Sequence, residues 1–345
     1  IYFAANGVAI PAWNSLLGDI TQGIDRGKYF GSRNGLCQIV LFLASLGAGT
    51  ILHRYDALEI PLMGFTIIML LSMLSRIVSA IFLWLHYDVP YDKIEGAYFS
   101  FWEFIARSRH SNFARFTFMI ASMSFAVSTS APFFAIYLRR ELGLPYIHYS
   151  LIIGILVIMQ YISMRFWGRF ADKYGNRIVL MITGYMLPVM PFLWFCAREF
   201  WFLTIIVIIG GIAWGGWALS AGNFIFDAVS SQKRARCTAY QFFFNSIGIF
   251  LGAILGGYLT RIAPSGVGIG SFRLEFFTEI QFAFLVSGVI RLIVISAFLP
   301  FVKEVRDVGK PNAREVIMLF THMLPVWGSK YVALSDGDGG ENRET

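Results

Sequence analysis

Gly168-Arg169-Phe170-Ala171-Asp172-Lys173-Tyr174-Gly175-Asn176-Arg177 carries four charges and two glycines, and it lies between two apolar runs, 148–167 and 178–197. About 20 mostly apolar residues are enough for an α-helix to cross a bilayer. The stretch therefore reads as a short polar loop joining two membrane helices. Runs of the same kind recur at 1–18, 35–53, 60–86, 116–138, 201–226, 240–260 and 279–302, which makes nine spans. The other spanning solution, a closed barrel, needs alternating polarity. These runs are too long and too uniformly apolar for that, so the expected fold class is all-α, a polytopic membrane helical bundle.

Composition agrees. Of 345 residues, 57% are hydrophobic and 14% charged, against about 25% charged in ordinary soluble domains. An ordinary cytosolic enzyme, a nucleic-acid module and a disordered chain are excluded. The net charge of +7 is explained by where the charges sit. Twenty basic residues fall in alternate loops and the tail, among them Arg26, Lys28, Arg33, Arg107, Arg109, Arg169, Lys173, Arg177, Lys233, Arg234 and Arg306. Six fall in the opposite loops, namely Arg54, Arg139, Arg140, Arg198, Arg261 and Arg273. The positive-inside rule makes the richer set cytoplasmic. The C-terminus is then expected inside and residue 1 outside, and no nucleic-acid partner is needed to account for the basic balance.

A shift of 208 residues superposes two segments without a gap. Asp19 falls on Asp227, Arg26 on Arg234, Lys28 on Arg236, Phe42 on Phe250 and Gly49 on Gly257. Both segments run from the end of one span through a basic loop into the next. The following spans also correspond, with Arg76 and Arg291 both in mid-helix. Parallel repeats of this kind mark transporter architectures. Three spans precede the matched segment in the second repeat and none precedes it in the first. The expectation is twelve helices, of which nine are visible, in a chain incomplete at its N-terminus.

The 168–177 stretch resembles the G-x-x-x-D-[RK]-x-G-x-[RK] signature of the major facilitator superfamily, and Asp19-x6-Arg26 and Asp227-x6-Arg234 look like that family too. The resemblance covers about 1–303. It implies two six-helix halves and a secondary active transporter, a permease moving a small solute by alternating access. Residues 1–88 become the remnant of the N-terminal half and 89–114 a cytoplasmic connector. Residues 115–303 form the C-terminal half and 304–345 a tail whose end is disordered. The resemblance also implies gating residues: Gly168, Asp172, Lys173, Gly175, Arg177, Asp227, Arg234, Asp19 and Arg26. Gly168 would allow helices to approach closely, and Gly175 a turn that a β-carbon hinders. Asp172 is placed where helix N-termini favour an anion. Two readings are open for it, a latch on the cytoplasmic face or a simple helix cap. One position departs from the family: Asn176 stands where a basic residue is common, so Arg177 or Arg234 would have to take its part in a charge relay.

The family's cavity helices point to Asn6, Trp13, Ser124, Ser128, Tyr137, Trp214 and Trp217 as solute-facing. Polar side chains are wasteful toward lipid and so should face inward, either to a solute or to another helix. Arg76 and Arg291 are costly at that depth, and hydrogen bonds to a neighbour's carbonyls, or snorkelling, is the favoured reading. The connector run Tyr98–Ile105 reads as an amphipathic helix on the membrane surface. No Asp or Glu lies within the middle of a span, so a coupling ion stays open. No metal set, cofactor motif, nucleophile pair or phosphate-binding G-x4-G-K-[ST] loop is present. The expectation is therefore a monomeric carrier rather than an enzyme, with no cofactor, set in a lipid bilayer, in a bacterial inner (plasma) membrane. The alternative is a non-transporting membrane sensor with the same fold.

Overall fold

The computed structural model describes residues 13, 26–85, 100–106, 111–269 and 272–309. Eight helices among them are long and apolar enough to cross a membrane. In chain order the elements are α1 (Arg26–Ala57), α2 (Pro61–Trp84), a short α3 (Phe101–Ala106), α4 (Asn112–Ser128), α5 (Tyr146–Tyr174), α6 (Asn176–Cys196), α7 (Phe200–Ala228), α8 (Ser231–Arg261) and α9 (Glu279–Phe298). The expected spans from 35 onward are all present. The expected span 1–18 lies outside the described residues except for Trp13. One feature was not foreseen: an antiparallel ribbon between α8 and α9, β1 (Gly266–Ile269) and β2 (Phe272–Glu275), with Gly266 opposite Glu275.

The helices run up and down. Residues 168–177 therefore mark one end of the bundle, the signature end, and the turns 58–60, 142–145 and 197–199 mark the far end. Each end has its own core. At the signature end Phe116 stacks on Phe224 with ring centroids 4.4 Å apart, among Phe104, Phe113, Leu180, Trp217 and Leu299. At the far end Tyr137, Leu138, Ile152, Trp194, Leu203 and Phe284 pack together.

Glycine decides how closely the middle of the bundle packs. A β-carbon at Gly248, Gly252 or Gly256 of α8 would overlap the carbonyl oxygens of Ala121, Phe125 and Thr129 on α4. Both series advance by four residues, so the two helices touch backbone to backbone along one face each. Gly211 and Gly215 of α7 do the same against Leu156 and Gln160 of α5. Glycines four residues apart lie on one helix face, and that spacing permits this packing. Gly168 does not pack this way: a β-carbon there would meet only Leu219, at 3.8 Å. Its expected role in close helix approach is corrected, because 3.8 Å is ordinary contact.

Two helices have gaps in their hydrogen-bond ladders, and α9 supplies a donor to each. Pro188 and Pro191 lie inside α6. Proline has no N–H, so Pro191 leaves the carbonyl of Leu187 without its helical partner. Arg291 of α9 donates Nη1 to that carbonyl at 3.2 Å. The α4 helix ends at Ser128 before Ala131-Pro132, continuing as a 3-10 turn (Ala131–Phe133), a helical turn (Phe134–Ile136) and a π turn (Tyr137–Glu141). As it tightens, the Ser130 amide turns to Val127, and Ser287 of α9 donates its hydroxyl to the released Ala126 carbonyl at 2.6 Å. Arg291 also donates Nη2 to Ser130 Oγ at 3.0 Å, and Ser130 donates to Ser287. Arg291 is thus buried and hydrogen-bonded to a neighbour's carbonyl, the structural role expected of it, whereas Arg76 is exposed on α2.

Arg291→Met should destabilise the protein by about 1–3 kcal/mol, because it leaves buried acceptors unsatisfied. In a Pro191→Ala background the restored amide can serve Leu187, so the loss should be smaller by about 1 kcal/mol. Unfolding in detergent measures both, and equal losses in the two backgrounds would refute the link.

Candidate functional site

The signature loop is built by a glycine. The α5 helix stops where Gly175 adopts φ +90° and ψ 162°, and α6 begins at the next residue. A β-carbon at Gly175 would be strained by that φ and would also overlap the carboxylate of Glu304. Glu304 belongs to the segment after α9, which crosses the signature end and ties several elements together. Its Oε2 accepts from the Arg177 amide at 2.8 Å, and its Oε1 from the amides of Val305 and Arg306. Lys303 and Asn112 exchange two hydrogen bonds, each 2.8 Å, between this segment and the start of α4. Arg177 donates Nε to the Val302 carbonyl at 2.6 Å.

Asp172 is therefore not the anion at the start of α6. Glu304 takes that place, at the first turn, where free amides and the helix dipole favour a carboxylate. Asp172 sits in the last turn of α5 with its side chain 79% exposed, 3.9 Å from the Arg306 guanidinium. The same arginine donates to the Asp172 carbonyl at 3.0 Å. Lys173 lies beside Asp172 with its ammonium 4.9 Å from the Tyr174 ring. Arg169 is exposed one turn earlier.

Asp227, in the last turn of α7, accepts from the buried side chain of Asn176 at 2.7 Å. The departure noted in the sequence is thus the partner itself: an amide serves where a cation is common. The expected substitutes do other work. Arg177 goes to Val302, while Arg234 donates to the Val229 carbonyl and lies 4.6 Å over the Phe226 ring. Arg26 opens α1, and Asp19 and Asn6 lie outside the described residues.

The residues expected around a solute divide. Trp13 is half-buried, with the Arg33 guanidinium 5.6 Å from its ring. Ser124 is half-buried and Ser128 buried, one turn apart on α4. Trp214 is half-buried at the edge of the signature-end core. Two expectations are corrected. Tyr137 is fully buried in the far-end core and donates its hydroxyl to the Ala197 carbonyl at 2.8 Å. Trp217 is buried between α6 and α7, where a β-carbon at Gly184 would meet its ring at 3.2 Å. Neither has a free face for a solute. No group of His, Cys, Asp and Glu that could hold a metal occurs among the described residues.

The connector helix differs slightly from its expected place. The α3 helix starts at Phe101, where Ser100 and Glu103 form a reciprocal capping box: the Ser100 amide donates to Glu103 at 3.0 Å and the Glu103 amide to Ser100 at 3.2 Å. Phe101 packs on Tyr240, Phe243 and Phe244 of α8, and Trp102 is 76% exposed. Amphipathicity therefore serves docking onto α8 on one side and leaves a tryptophan outward on the other.

A bundle of apolar helices with a Gly-Asp-Gly turn at one end defines a polytopic membrane protein. Residues 116–335 match the family model of the Major Facilitator Superfamily. The chain belongs to that superfamily. Among curated proteins it is similar to the quinolone resistance protein NorA of Staphylococcus aureus, strain MRSA252. The two are 26% identical over 132 residues, 38% of this chain and 34% of the relative. It is also similar to the class B tetracycline resistance protein of Escherichia coli, 24% identical over 117 residues, 34% of this chain and 29% of the relative. The chain spans about a third of the length of the curated relatives it matches.

Glu304→Ala should free the Arg177 amide. Hydrogen exchange there should accelerate by about tenfold, the scale of one charge-assisted bond. Exchange unchanged at Arg177 would mean that Glu304 does not hold the start of α6. Gly175→Ala should cost about 1–3 kcal/mol in detergent unfolding, the cost of a side chain in a sparsely populated backbone region.

Proposed function

We propose that the protein is a secondary transporter that moves a small solute across a plasma membrane by alternating access. The observation that carries this reading is membership of the superfamily together with the internal repeat. The first repeat contributes α1 and α2, the second α4 to α9, and the two meet along α1 and α5. The named contacts between them lie away from the signature loop. Gly49 faces Ser150 and Gly154 faces the Phe42 ring, each so closely that a β-carbon would overlap it. A chain joined at the far end, with Asp172 exposed at the other, fits the arrangement that is open at the signature end.

In this reading the signature end is cytoplasmic, the C-terminal tail lies inside, and residues 1–88 and 115–303 are parts of the two halves. The names of the relatives, quinolone and tetracycline resistance, suggest export of drug-sized aromatic solutes, and we carry that substrate class here. Arranged this way the chain is a carrier with no chemical step. Ser124, Ser128 and Trp214 are the described side chains assigned to the solute path, with Asn6 and Trp13 from the preceding segment. The sensor alternative has no observation of its own to favour it.

Cells lacking their own exporters and expressing the full chain should accumulate less tetracycline or quinolone than empty-vector cells. Equal accumulation across both compounds would overturn the substrate class. Asp172→Asn should slow solute movement about tenfold or more with little change in apparent affinity. The side chain lies on the rim, away from the midplane where this architecture binds solutes, and acts by favouring one arrangement. Normal rates in reconstituted vesicles would leave Asp172 as a surface residue only.

A further inference from the structure

We propose that Asp56, Arg139 and Tyr146 form a releasable clasp between the two repeats at the far end, a proposal that rests on the alternating-access reading above. Asp56 is in the last turn of α1, in the first repeat. Arg139 lies in the π turn that continues α4, and Tyr146 opens α5, both in the second repeat. Arg139 Nη2 is 3.5 Å from the Asp56 carboxylate. The same guanidinium donates to the Leu144 carbonyl and lies 3.5 Å over the Tyr146 ring. Phe65 of α2 meets the other side of the contact, edge-on to Tyr146 with centroids 6.2 Å apart.

The arrangement is asymmetric in a useful way. Two of the three Arg139 contacts are to its own repeat, so the guanidinium stays in position when the repeats part. Its bond to Asp56 is the one that crosses. Both side chains are partly exposed, at 26% and 41%, so water can replace the bond when it breaks. An exposed ion pair of this kind is weak, which suits a contact that must open and close many times. The neighbouring Gly49–Ser150 and Gly154–Phe42 notches bring the backbones close enough for the pair to form. They carry no hydrogen bond that would have to be broken with it.

The test uses the full chain in liposomes, with Cys37 and Cys196 changed to Ser and spin labels at Leu58→Cys and Arg140→Cys, two exposed sites flanking the clasp. Asp56→Arg should raise the long-distance population about two- to fivefold, the weight of one exposed ion pair. The exchanged pair Asp56→Arg with Arg139→Asp should return it toward the parent distribution. An unchanged distribution in Asp56→Arg, or an exchanged pair as open as the single variant, overturns the clasp. In a second arm, Asp56→Cys and Arg139→Cys are joined by a reducible bis-thiosulfonate. Solute movement should stop on cross-linking and return on reduction, and movement through the intact cross-link overturns the clasp. A parent chain that moves neither test solute but shows the distance changes overturns the proposed substrate class and supports the clasp.

Discussion

A peptide carbonyl cannot be left without a hydrogen-bond partner in hydrocarbon, where no water replaces the lost bond. Among the described residues, the irregularities at Pro191, at the end of α4 and at the end of α6 answer to that constraint. Pro191 removes one donor from the ladder of α6, and Arg291 supplies the missing donor to Leu187. The α4 helix tightens past Ser128, and Ser287 covers Ala126. At the far end of α6 the Phe195 carbonyl accepts from Gln281 at 2.8 Å and the Ala197 carbonyl from Tyr137. Gln281, Ser287 and Arg291 are all buried residues of α9. One helix therefore supplies donors that two interrupted hydrogen-bond ladders lack.

The glycine contacts divide the molecule mechanically. Inside the second repeat, α8 lies on α4 and α7 on α5 with carbonyl oxygens under the glycines. At Gly248 and Gly252 the nearest atoms are backbone, while Gly211, Gly215 and Gly256 also meet the side chains of Met159, Ser163 and Phe133. Between the repeats the glycines face side chains, Ser150 at Gly49 and Phe42 at Gly154. A side chain in a notch can withdraw and return. In the proposed alternating-access cycle the repeats would part at these side-chain contacts, while carbonyl oxygens under Gly248, Gly252 and Gly256 hold α8 against α4.

Much of this was readable from residues alone, because a bilayer imposes length and polarity on every span. The eight described spans and the positive φ at Gly175 follow from such local rules. The rest depended on which residues meet. Nothing around Glu304 in sequence marks it as the anion at the start of α6, since it is more than a hundred residues from Arg177. Asn176 looked like a gap in a charge relay until its amide was seen on Asp227. The family's cavity helices point to Tyr137 and Trp217 as solute-facing. Rings of that size suit a core equally, and only the packing of Phe284 and Gly184 against them decides.

The two acidic residues of the signature end are consequently unequal. Asp227 is held by a buried amide from the helix beside it, and both belong to the second repeat. Its bond strengthens that repeat whichever way the repeats are arranged. Gly175, Arg177 and Glu304 belong to the same fixed set, tied to α4 through Lys303 and Asn112. Asp172 stands at the edge of this platform with a distant ion partner and most of its carboxylate in solvent. In the proposed cycle the platform carries the carboxylate and does not consume it. A charge so placed keeps its hydration while the end is open, and it can exchange that hydration for donors on the first repeat when the end closes. Rigid support on one side and an unspent charge on the other is the physical basis for assigning the latch to Asp172 and the scaffold to Asp227.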